Sequence, residues 1–238
     1  MKTRGEKHYI KMPLFAAKLY DKLTGVKGVN KTFEEIADII VPSSVQGKLL
    51  DIGTGPGRLL NVINKRNKNI DLYGLDISES MVDLARVNLK NCENVCLQVG
   101  NITRTEFQDN FFDFIVSTGS FYNWDHPVEG LNEVYRILKP GKTAYVFETI
   151  KDYDKKLLNQ RLTSNLQGYS FIRRLLSKYF LMKQLKMTYN PNEFNQTLKM
   201  SKFNNNYKIE YKELGNLPIY VQIELNKEFT IKKKEVLS

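Results

Sequence analysis

The sequence predicts an α/β protein in which a parallel β-sheet is covered by helices on both faces. From Gly47 to Glu148 short apolar strands alternate with amphipathic helices, the spacing that produces parallel strands joined by helical crossovers. A run with glycine at every second position, Gly53 to Gly57, follows the first strand directly. The chain has 238 residues, of which 42% are hydrophobic, enough to bury a sizeable core without disulfide staples.

The first 46 residues are predicted to form an N-terminal helical cap segment. Apolar residues at helical spacing predict a short helix near residues 15–23. Thr32, three residues before Glu35, is typical of a capping box, so a second helix should begin there and end at Pro42. We expect His8, in the basic start of the chain, to be solvated.

Residues 47–150 carry the alternating pattern and are assigned as the α/β core. Each strand is a short apolar run, and each helix has an apolar stripe along one face. The second helix is predicted to be capped by Ser78 and to run to Leu89, and Lys139-Pro140-Gly141 should end the third. The predicted strands are 48–52, 70–77, 95–99, 112–118 and 143–148, and the other two helices are 58–64 and 127–138.

The alternation stops after residue 150. Residues 151–190 have a helical apolar pattern and are assigned as a helical basic insertion, a lid, because residues 155–192 contain no acidic residue. A helix over 192–203 follows Pro191, and two β segments, 207–214 and 218–225, flank a turn at Gly215 and Asn216. We assign 191–230 as the last helix and hairpin, and expect the lysine-rich tail to fray.

Charge is distributed unevenly along the chain. The net charge is +10, made up of +4 in residues 1–50, −3 in 51–150 and +9 in 151–238, which suggests two tasks on one chain. Two cysteines, Cys92 and Cys96, are too few for a disulfide framework or a zinc site, and their apolar neighbours predict buried, reduced thiols. No metal site is predicted. The absence of a bilayer-length apolar run or signal-peptide pattern predicts a cytoplasmic protein without a transmembrane segment.

The glycine run predicts a ligand site at the carboxyl end of the first strand. Glycines let the backbone approach a ligand closely, and the helix that follows offers free N–H groups. A dinucleotide loop has a glycine at the sixth position, where this chain has Arg58. Asp51, just before the run, suits a ligand with an ammonium group better than a pyrophosphate. Asp76, about 20 residues later, is placed to accept both hydroxyls of a ribose.

These residues resemble the motifs of the class I S-adenosylmethionine-dependent methyltransferases, of the methyltransferase type 11 and quinone-biosynthesis kind. The resemblance covers residues 47–150, and more weakly extends to 225. It implies a Rossmann-like fold: a mostly parallel seven-stranded sheet with helices on both faces, a C-terminal β-hairpin and a helical lid insertion. The segments that resemble the motifs, in chain order, are 50–57, 73–81, 99–102, 112–117 and 131–141.

The resemblance implies S-adenosyl-L-methionine as cofactor and S-adenosyl-L-homocysteine as product. Asp51 would help to hold the ammonium group, Asp76 the ribose, and Ile77 would pack on the adenine. Asn101 stands where many family members have an acid. Tyr20 would close over the cofactor, or else be a core tyrosine. The remaining residues with an implied cofactor-binding role are Gly53, Thr54 and Gly55 in the loop, Ile102 beside the adenine, and Ser117 beside the sulfonium.

Residues 120–126, after the fourth strand, are the candidates for contact with the methyl acceptor. His126 is a candidate general base, because a histidine titrates near neutral pH, or else caps the next helix. Tyr122 is a second catalytic candidate or a pocket wall, and Trp124 and Phe121 are candidates for substrate binding. Residues 118–121 lack the Asn/Asp-Pro-Pro-aromatic pattern of nucleic-acid amino-methyltransferases, which weakens that alternative.

Three classes of function remain open. The favoured one is a methyltransferase with a small-molecule acceptor, an anionic acceptor included. The second is an RNA or protein methyltransferase that binds a polymer through the basic segment 155–192. The third is a cofactor-binding protein without transfer activity. The basic face of that segment would meet an anionic substrate, a membrane surface or RNA phosphates, unless it is only solvated.

Overall fold

A computed structural model of the chain describes residues 13–41 and 45–229. Our expectations for His8, for Pro42 as a helix end and for the lysine-rich tail lie outside these residues, as do parts of the segments 1–46 and 191–230. The described residues form, in order, α1 Leu14–Thr24, α2 Lys27–Ile40, β1 Gly47–Ile52, α3 Arg58–Arg66, β2 Ile70–Asp76, α4 Glu79–Asn88, β3 Val95–Val99, β4 Phe114–Thr118, α5 Pro127–Ile137, β5 Thr143–Thr149, α6 Lys155–Asn165, α7 Phe171–Met187, α8 Pro191–Lys199, β6 Tyr207–Leu214 and β7 Leu217–Asn226.

The seven strands form one sheet in the order β3-β2-β1-β4-β5-β7-β6. The first five are parallel, and β7 pairs antiparallel with both β5 and β6. This confirms the predicted mixed sheet with a C-terminal hairpin. The strand order reverses between β1 and β4, and in open α/β sheets a ligand crevice forms at the carboxyl ends of the strands where this happens. The glycine run directly follows β1 and therefore lies at that crevice.

Alternating side chains of the strands supply two cores, one on each face of the sheet. Leu50 belongs to a cluster with residues of α5 and α8, whereas its neighbour Leu49 belongs to a cluster with residues of α2, α3 and α4. A third, smaller cluster joins α6 and α7 to β7. Both faces of the sheet are thus covered, and the predicted lid is anchored to the antiparallel edge of the sheet.

The start of α2 differs from the prediction. The helix begins at Lys27, and Thr32 lies buried inside it, with its hydroxyl donating to the carbonyl oxygen of Gly28 at 3.1 Å. Glu35 does not close a capping box. Its carboxylate accepts the Gly215 N–H at 2.7 Å, so it ties the helix to the turn of the β6–β7 hairpin. A contact between residues so far apart in sequence overrode the local signal.

Three further details depart from the sequence predictions. Cys96 is exposed because β3 is an edge strand with one face uncovered, and Cys92, before that strand, is half-buried against the core. Ser78 stands at the N-cap position of α4, but its hydroxyl makes no cap bond and lies 3.1 Å from that of Ser80. The lid is two helices, since the chain turns between α6 and α7 at Gly168, where φ is +86°.

Candidate functional site

The glycine loop leaves β1 in a conformation that only glycine adopts readily. Gly53, Gly55 and Gly57 have φ values of +71°, +52° and +79°. A Cβ atom at Gly53 would lie 2.3 Å from that of Ser120, and one at Gly57 would lie 2.6 Å from a methyl group of Leu89. At Gly55 nothing lies within 4 Å of the same position. The loop is thus packed at both ends and presents bare backbone to open space at its centre.

Asp51 lies in β1, 2% exposed, beneath this loop. Its carboxylate accepts the Thr54 hydroxyl at 2.9 Å. Burial raises the pKa of Asp51 to about 7, the Thr54 bond opposes that shift, and the nearby charge of Asp76 adds to it. The carboxylate therefore lacks the positive partner that a buried acid normally has. A cationic group placed beside it would restore its ionisation at neutral pH.

Asp76 is the last residue of β2 and links the second strand to the loop. It accepts the Gly55 N–H at 2.8 Å and the Ser78 N–H at 2.9 Å. Burial raises the pKa of Asp76, and these two bonds partly offset the effect. Two acids held side by side in a buried crevice disfavour each other's charge. They fit a ligand that brings both a cation and hydroxyl donors.

Helix α1 lies beside this crevice and is held there by Arg58, the first residue of α3. The guanidinium donates to the Asp21 carboxylate, through Nε at 2.8 Å and through Nη2, and Nη2 also donates to the Asp21 carbonyl. The Thr24 hydroxyl accepts a further bond at 3.1 Å. This clamp places Tyr20 near Asp76. Burial raises the pKa of Tyr20. The charge of Arg58 opposes this shift, and the charges of Asp21 and Asp76 add to it.

The residues assigned to the adenine lie after β2 and β3. Ile77 is half-buried, Ile102 is buried and Asn101 is exposed. The side-chain oxygen of Asn101 accepts the Thr103 N–H at 3.0 Å, so in this structure it stabilises its own turn. Ile102 packs in the core with Leu75 and Trp124. The chain brings these residues to the crevice next to Asp76.

The carboxyl end of β4 forms the other side of the crevice. The hydroxyls of Ser117 and Ser120 lie 2.8 Å apart, and Ser120 donates to the carbonyl of Ile52 at 2.9 Å. These bonds join β4 to β1. The Thr118 hydroxyl is buried and makes no hydrogen bond within the described residues. Sequence reasoning placed Ser117 beside the sulfonium and Ser120 among the candidates for acceptor contact, but the hydrogen bond between their hydroxyls has no sequence signature.

Phe121 and Trp124 follow β4 and are buried, with ring centroids 4.8 Å apart. Phe121 also stacks on Phe194 of α8, and Trp124 packs against Gly130, where a Cβ would lie 2.7 Å from the indole. Both side chains belong to the core beneath the crevice. The structure places them behind its wall rather than on an open surface.

The two catalytic candidates occupy different environments. The His126 side chain is more than half exposed at the start of α5; it makes no cap bond, and its Nδ1 lies 3.8 Å from Glu129. Tyr122 is partly buried in a 3₁₀ turn, Phe121–Asn123, and its backbone N–H donates to Glu148 at 3.3 Å. His126 is thus open to solvent, whereas Tyr122 is packed against the end of β5.

Glu148, near the end of β5, is a buried acid that the sequence reasoning passed over. It is fully buried and accepts the N–H groups of Thr149 and Tyr122. Burial raises its pKa to about 7, and hydrogen bonds from those residues and from the Gln184 side chain of α7 oppose the shift. The sequence did contain a signal for this residue, because an acidic residue within the apolar run of a central strand is unusual. The lid therefore touches a titratable group at the crevice.

Residues 50–146 match the family described as "Methyltransferase domain". The chain is 34% identical over 98 residues to "Uncharacterized methyltransferase YdaC" of Bacillus subtilis, covering 41% of this chain and 54% of that protein. It is 27% identical over 125 residues to "Ubiquinone/menaquinone biosynthesis C-methyltransferase UbiE" of Citrifermentans bemidjiense, covering 51% of this chain and 53% of that one. The chain thus spans about half the length of these curated relatives.

The fold also matches solved structures. A putative S-adenosyl-L-methionine-dependent methyltransferase from Methanococcus maripaludis superposes with a TM-score of 0.66 and 22% sequence identity. The match covers 98% of this chain and 99% of that one. The likeness in fold therefore extends beyond the residues that the family match covers, to the lid and the C-terminal hairpin.

Proposed function

The chain carries a class I S-adenosylmethionine-dependent methyltransferase domain, and from this premise we propose that it transfers a methyl group to a small-molecule acceptor. The cofactor of this family is S-adenosylmethionine. The curated relatives named for quinone biosynthesis act on small molecules by their printed names, which supports the same acceptor class here. An RNA or protein acceptor is the alternative.

The observation that carries the proposal is a pair of acids, the buried Asp51 and the half-buried Asp76, around an open glycine. Asp51 and Asp76 lie in one crevice without a positive partner, and both have raised pKa values through burial. The backbone at Gly55 faces open space between them. S-Adenosylmethionine has an ammonium group that can pair with Asp51 and ribose hydroxyls that can donate to Asp76. The absence of a side chain at Gly55 lets the ligand lie close to the backbone between them. The residues present therefore fit this cofactor.

When bound, S-adenosylmethionine supplies a methyl group on a sulfonium, which is already a good leaving group. The tasks left to the protein are to orient the acceptor and to exclude water. Tyr20 and the α1 helix close one side of the crevice, and the buried β4 end with Ser117 forms another. We infer that the methyl-transfer step needs a base only where the acceptor atom carries a proton in the reactive state.

Three groups are candidates for that base. His126 and Tyr122 follow β4, and Glu148 joins them from β5. A carboxylate with a pKa of about 7 can accept a proton at neutral pH, and the bond from the Tyr122 N–H to Glu148 supports including it beside the acceptor candidates. The exposed His126 would act only on an acceptor that reaches the rim.

Calorimetry with S-adenosylhomocysteine tests the cofactor site directly. The wild-type chain should bind it, and Asp76→Ala should weaken binding at least about a hundredfold, because the ribose would lose both hydrogen bonds. Asp71→Ala is the matched control: Asp71 lies on the same strand but is exposed at its opposite end, near Lys48. No measurable heat from the wild type, or equal effects of the two substitutions, would overturn the proposed site.

The acceptor class needs a separate measurement. Cell extract divided into small-molecule, RNA and protein fractions should be incubated with the chain and cofactor labelled in its methyl group. We expect label to appear in the small-molecule fraction and to be lost with Asp76→Ala. Label that appears only in RNA or protein would show that the acceptor is a polymer, and the proposed cofactor site would still stand.

A further inference from the structure

Helix α7 exposes an unusual set of side chains to solvent. Phe171, Ile172, Leu175 and Tyr179 are 79%, 69%, 59% and 59% exposed. At 100° per residue these four positions fall within about one quarter to one third of the helix circumference, so they form a single stripe. Only Leu185 of this helix is buried. The apolar stripe of α7 therefore faces away from the protein core, the reverse of an ordinary surface helix.

The inner side of α7 is already occupied by α1. Arg173 donates to the carbonyls of Lys22 and Gly25 at 2.8 and 3.1 Å, and the Ser177 hydroxyl donates to that of Leu23 at 2.9 Å. The rings of Tyr20 and Phe180 meet edge to face at 5.5 Å. Residues further along α7 contact residues nearer the start of α1, so the two helices are antiparallel neighbours. The stripe is left without a partner within the described residues.

Helix α1, which packs against α7, also exposes apolar side chains. Phe15 is 74% exposed and Leu19 is 54% exposed, and Leu14 is also exposed. Together α1 and α7 carry seven of the twelve large apolar side chains that are exposed in the described ranges. Scattered single exposures are normal, but a concentration on two adjoining helices marks an interaction surface.

Positive charge borders the stripe. Arg174 and Lys178 lie along one edge on the helical wheel, Lys183 lies along the other, and Lys186 continues past its end. Helix α7 contains no acidic residue. None of these four residues forms an ion pair with another described residue. An apolar stripe edged with lysine and arginine is the pattern of a helix that lies in a bilayer interface.

We propose that the outward face of α7, together with the exposed residues of α1, docks on a lipid bilayer that contains anionic headgroups. The apolar side chains would enter the boundary between headgroups and acyl chains, while the lysines contact the phosphates. The helix would lie flat on the surface. No helix within the described ranges is long and apolar enough to cross a membrane.

Two other occupants fit the surface less well. A second copy of the chain would place two acid-free helices of the same charge against each other, which opposes association. A nucleic acid would satisfy the lysines but would leave the aliphatic side chains of Ile172 and Leu175 without a partner. The combination of apolar centre and cationic edge is what favours lipid. This inference stands independently of the methyl-transfer proposal.

Co-sedimentation of the whole chain with vesicles tests the inference. One set of vesicles combines phosphatidylglycerol with phosphatidylcholine, and the other is phosphatidylcholine alone. We expect binding to the anionic vesicles, little to the neutral ones, and weaker binding as salt rises. The double variant Leu175→Asp with Tyr179→Asp should bind at least about tenfold more weakly, because two apolar anchors become acids.

The control places the same charge change elsewhere. Met200→Asp with Tyr211→Asp alters two side chains that are 59% and 62% exposed, at the end of α8 and on β6, and neither element packs closely against α1 or α7. It should retain most of the binding. Replacing Lys178, Lys183 and Lys186 by glutamine should reduce binding about fivefold per lysine, whereas the same change at the exposed residues Lys65, Lys68 and Lys90 should have a smaller effect.

The proposal is overturned if the wild type does not bind anionic vesicles, or if the two double variants bind alike. It is also overturned if the lysine changes abolish binding while the α7 double variant binds normally, which would indicate a polyanion site. Loss of a dimer in sedimentation velocity with the α7 variant, without any vesicle binding by the wild type, would identify a second copy as the occupant. Circular dichroism checks that each variant is folded.

Discussion

The backbone N–H of Gly55 donates to Oδ2 of Asp76 at 2.8 Å, so the loop after β1 and the end of β2 are joined at the candidate site. The other carboxylate oxygen, Oδ1, accepts the Ser78 N–H at 2.9 Å, so two backbone bonds fix the carboxylate beside the loop. Glycine loop and acid thus act as one unit. Each can be altered by itself, which makes the unit testable.

Replacing Gly55 by alanine should reduce cofactor affinity more than stability. The residue has a φ of +52°, so the substitution strains the backbone by about 1–2 kcal/mol. The added Cβ also enters the space that we assign to the cofactor. Gly168→Ala is the matched control, since Gly168 has a φ of +86° and equally open surroundings outside the site.

Both alanine variants should lose similar stability in urea unfolding, and only Gly55→Ala should lose S-adenosylhomocysteine binding in calorimetry. Equal cofactor affinity in the two variants would show that the open space above Gly55 is not the cofactor's position.

Asp51 should make cofactor binding depend on pH. Its pKa is about 7 in the folded chain, so below that pH the carboxyl is largely protonated. A ligand with an ammonium group favours the ionised form and must displace that proton. We expect affinity for S-adenosylhomocysteine to rise with pH by up to about tenfold per unit below pH 7, and to level off above it.

The variant Asp51→Asn should bind more weakly at pH 8 and should lose this pH dependence. Calorimetry between pH 5 and 8 measures both, with the values of pH chosen to bracket the pKa of about 7. A wild-type affinity that stays constant across this range would contradict the assignment of Asp51 to the ammonium group.

Glu148 should affect the pH dependence of stability instead. Its pKa is raised from 4.5 to about 7 in the folded chain, so between these values the native state binds more protons than the unfolded state. Stability should therefore fall as pH rises through this window, and the loss should be complete above it. Glu148→Gln removes the buried charge and should be more stable than the wild type at pH 8.

Urea unfolding at pH 5 and pH 8 tests this, and the difference between the two proteins should grow with pH. Binding of S-adenosylhomocysteine should be unchanged by Glu148→Gln, because Glu148 lies on β5 and is not one of the residues that we assign to the cofactor. If the free energy of unfolding of Glu148→Gln is lower than that of the wild type by the same amount at pH 5 and pH 8, the carboxyl of Glu148 stays in a single charge state, held by its hydrogen bonds.

Arg58 should hold α1 over the crevice. Its side chain is 18% exposed and bonds Asp21 and Thr24, so Arg58→Ala should cost about 1–3 kcal/mol of stability and weaken cofactor binding. Arg86→Ala is the control, because Arg86 pairs with Asp83 on the exposed face of α4 and such pairs contribute about 0–1 kcal/mol.

Urea unfolding and calorimetry on the two arginine variants measure these effects. Susceptibility of α1 to limited proteolysis should rise only with Arg58→Ala. Identical behaviour of the two variants would mean that the clamp seen between α1 and α3 does not keep α1 closed.

The order of strands and helices, the glycine loop and the two acids Asp51 and Asp76 were predictable from the sequence. These features depend on short-range patterns: apolar alternation, glycine where φ is positive, and an acid at a strand end. Placing Asp51 and Asp76 in one crevice required only the rule that carboxyl ends of parallel strands meet at one edge. Their roles as cofactor ligands remain predictions.

The tertiary structure alone decided which distant residues meet. Thr32 is a buried residue inside α2, and Glu35 bonds the distant Gly215 turn instead of closing a capping box. Glu148 has a raised pKa because the packing of the surrounding elements buries it, and the Gln184 side chain of α7 partly opposes that shift. The outward direction of the α7 stripe follows from its packing on α1. Such contacts join segments far apart in the chain, and their free energy exceeds the local preferences that a sequence pattern reports.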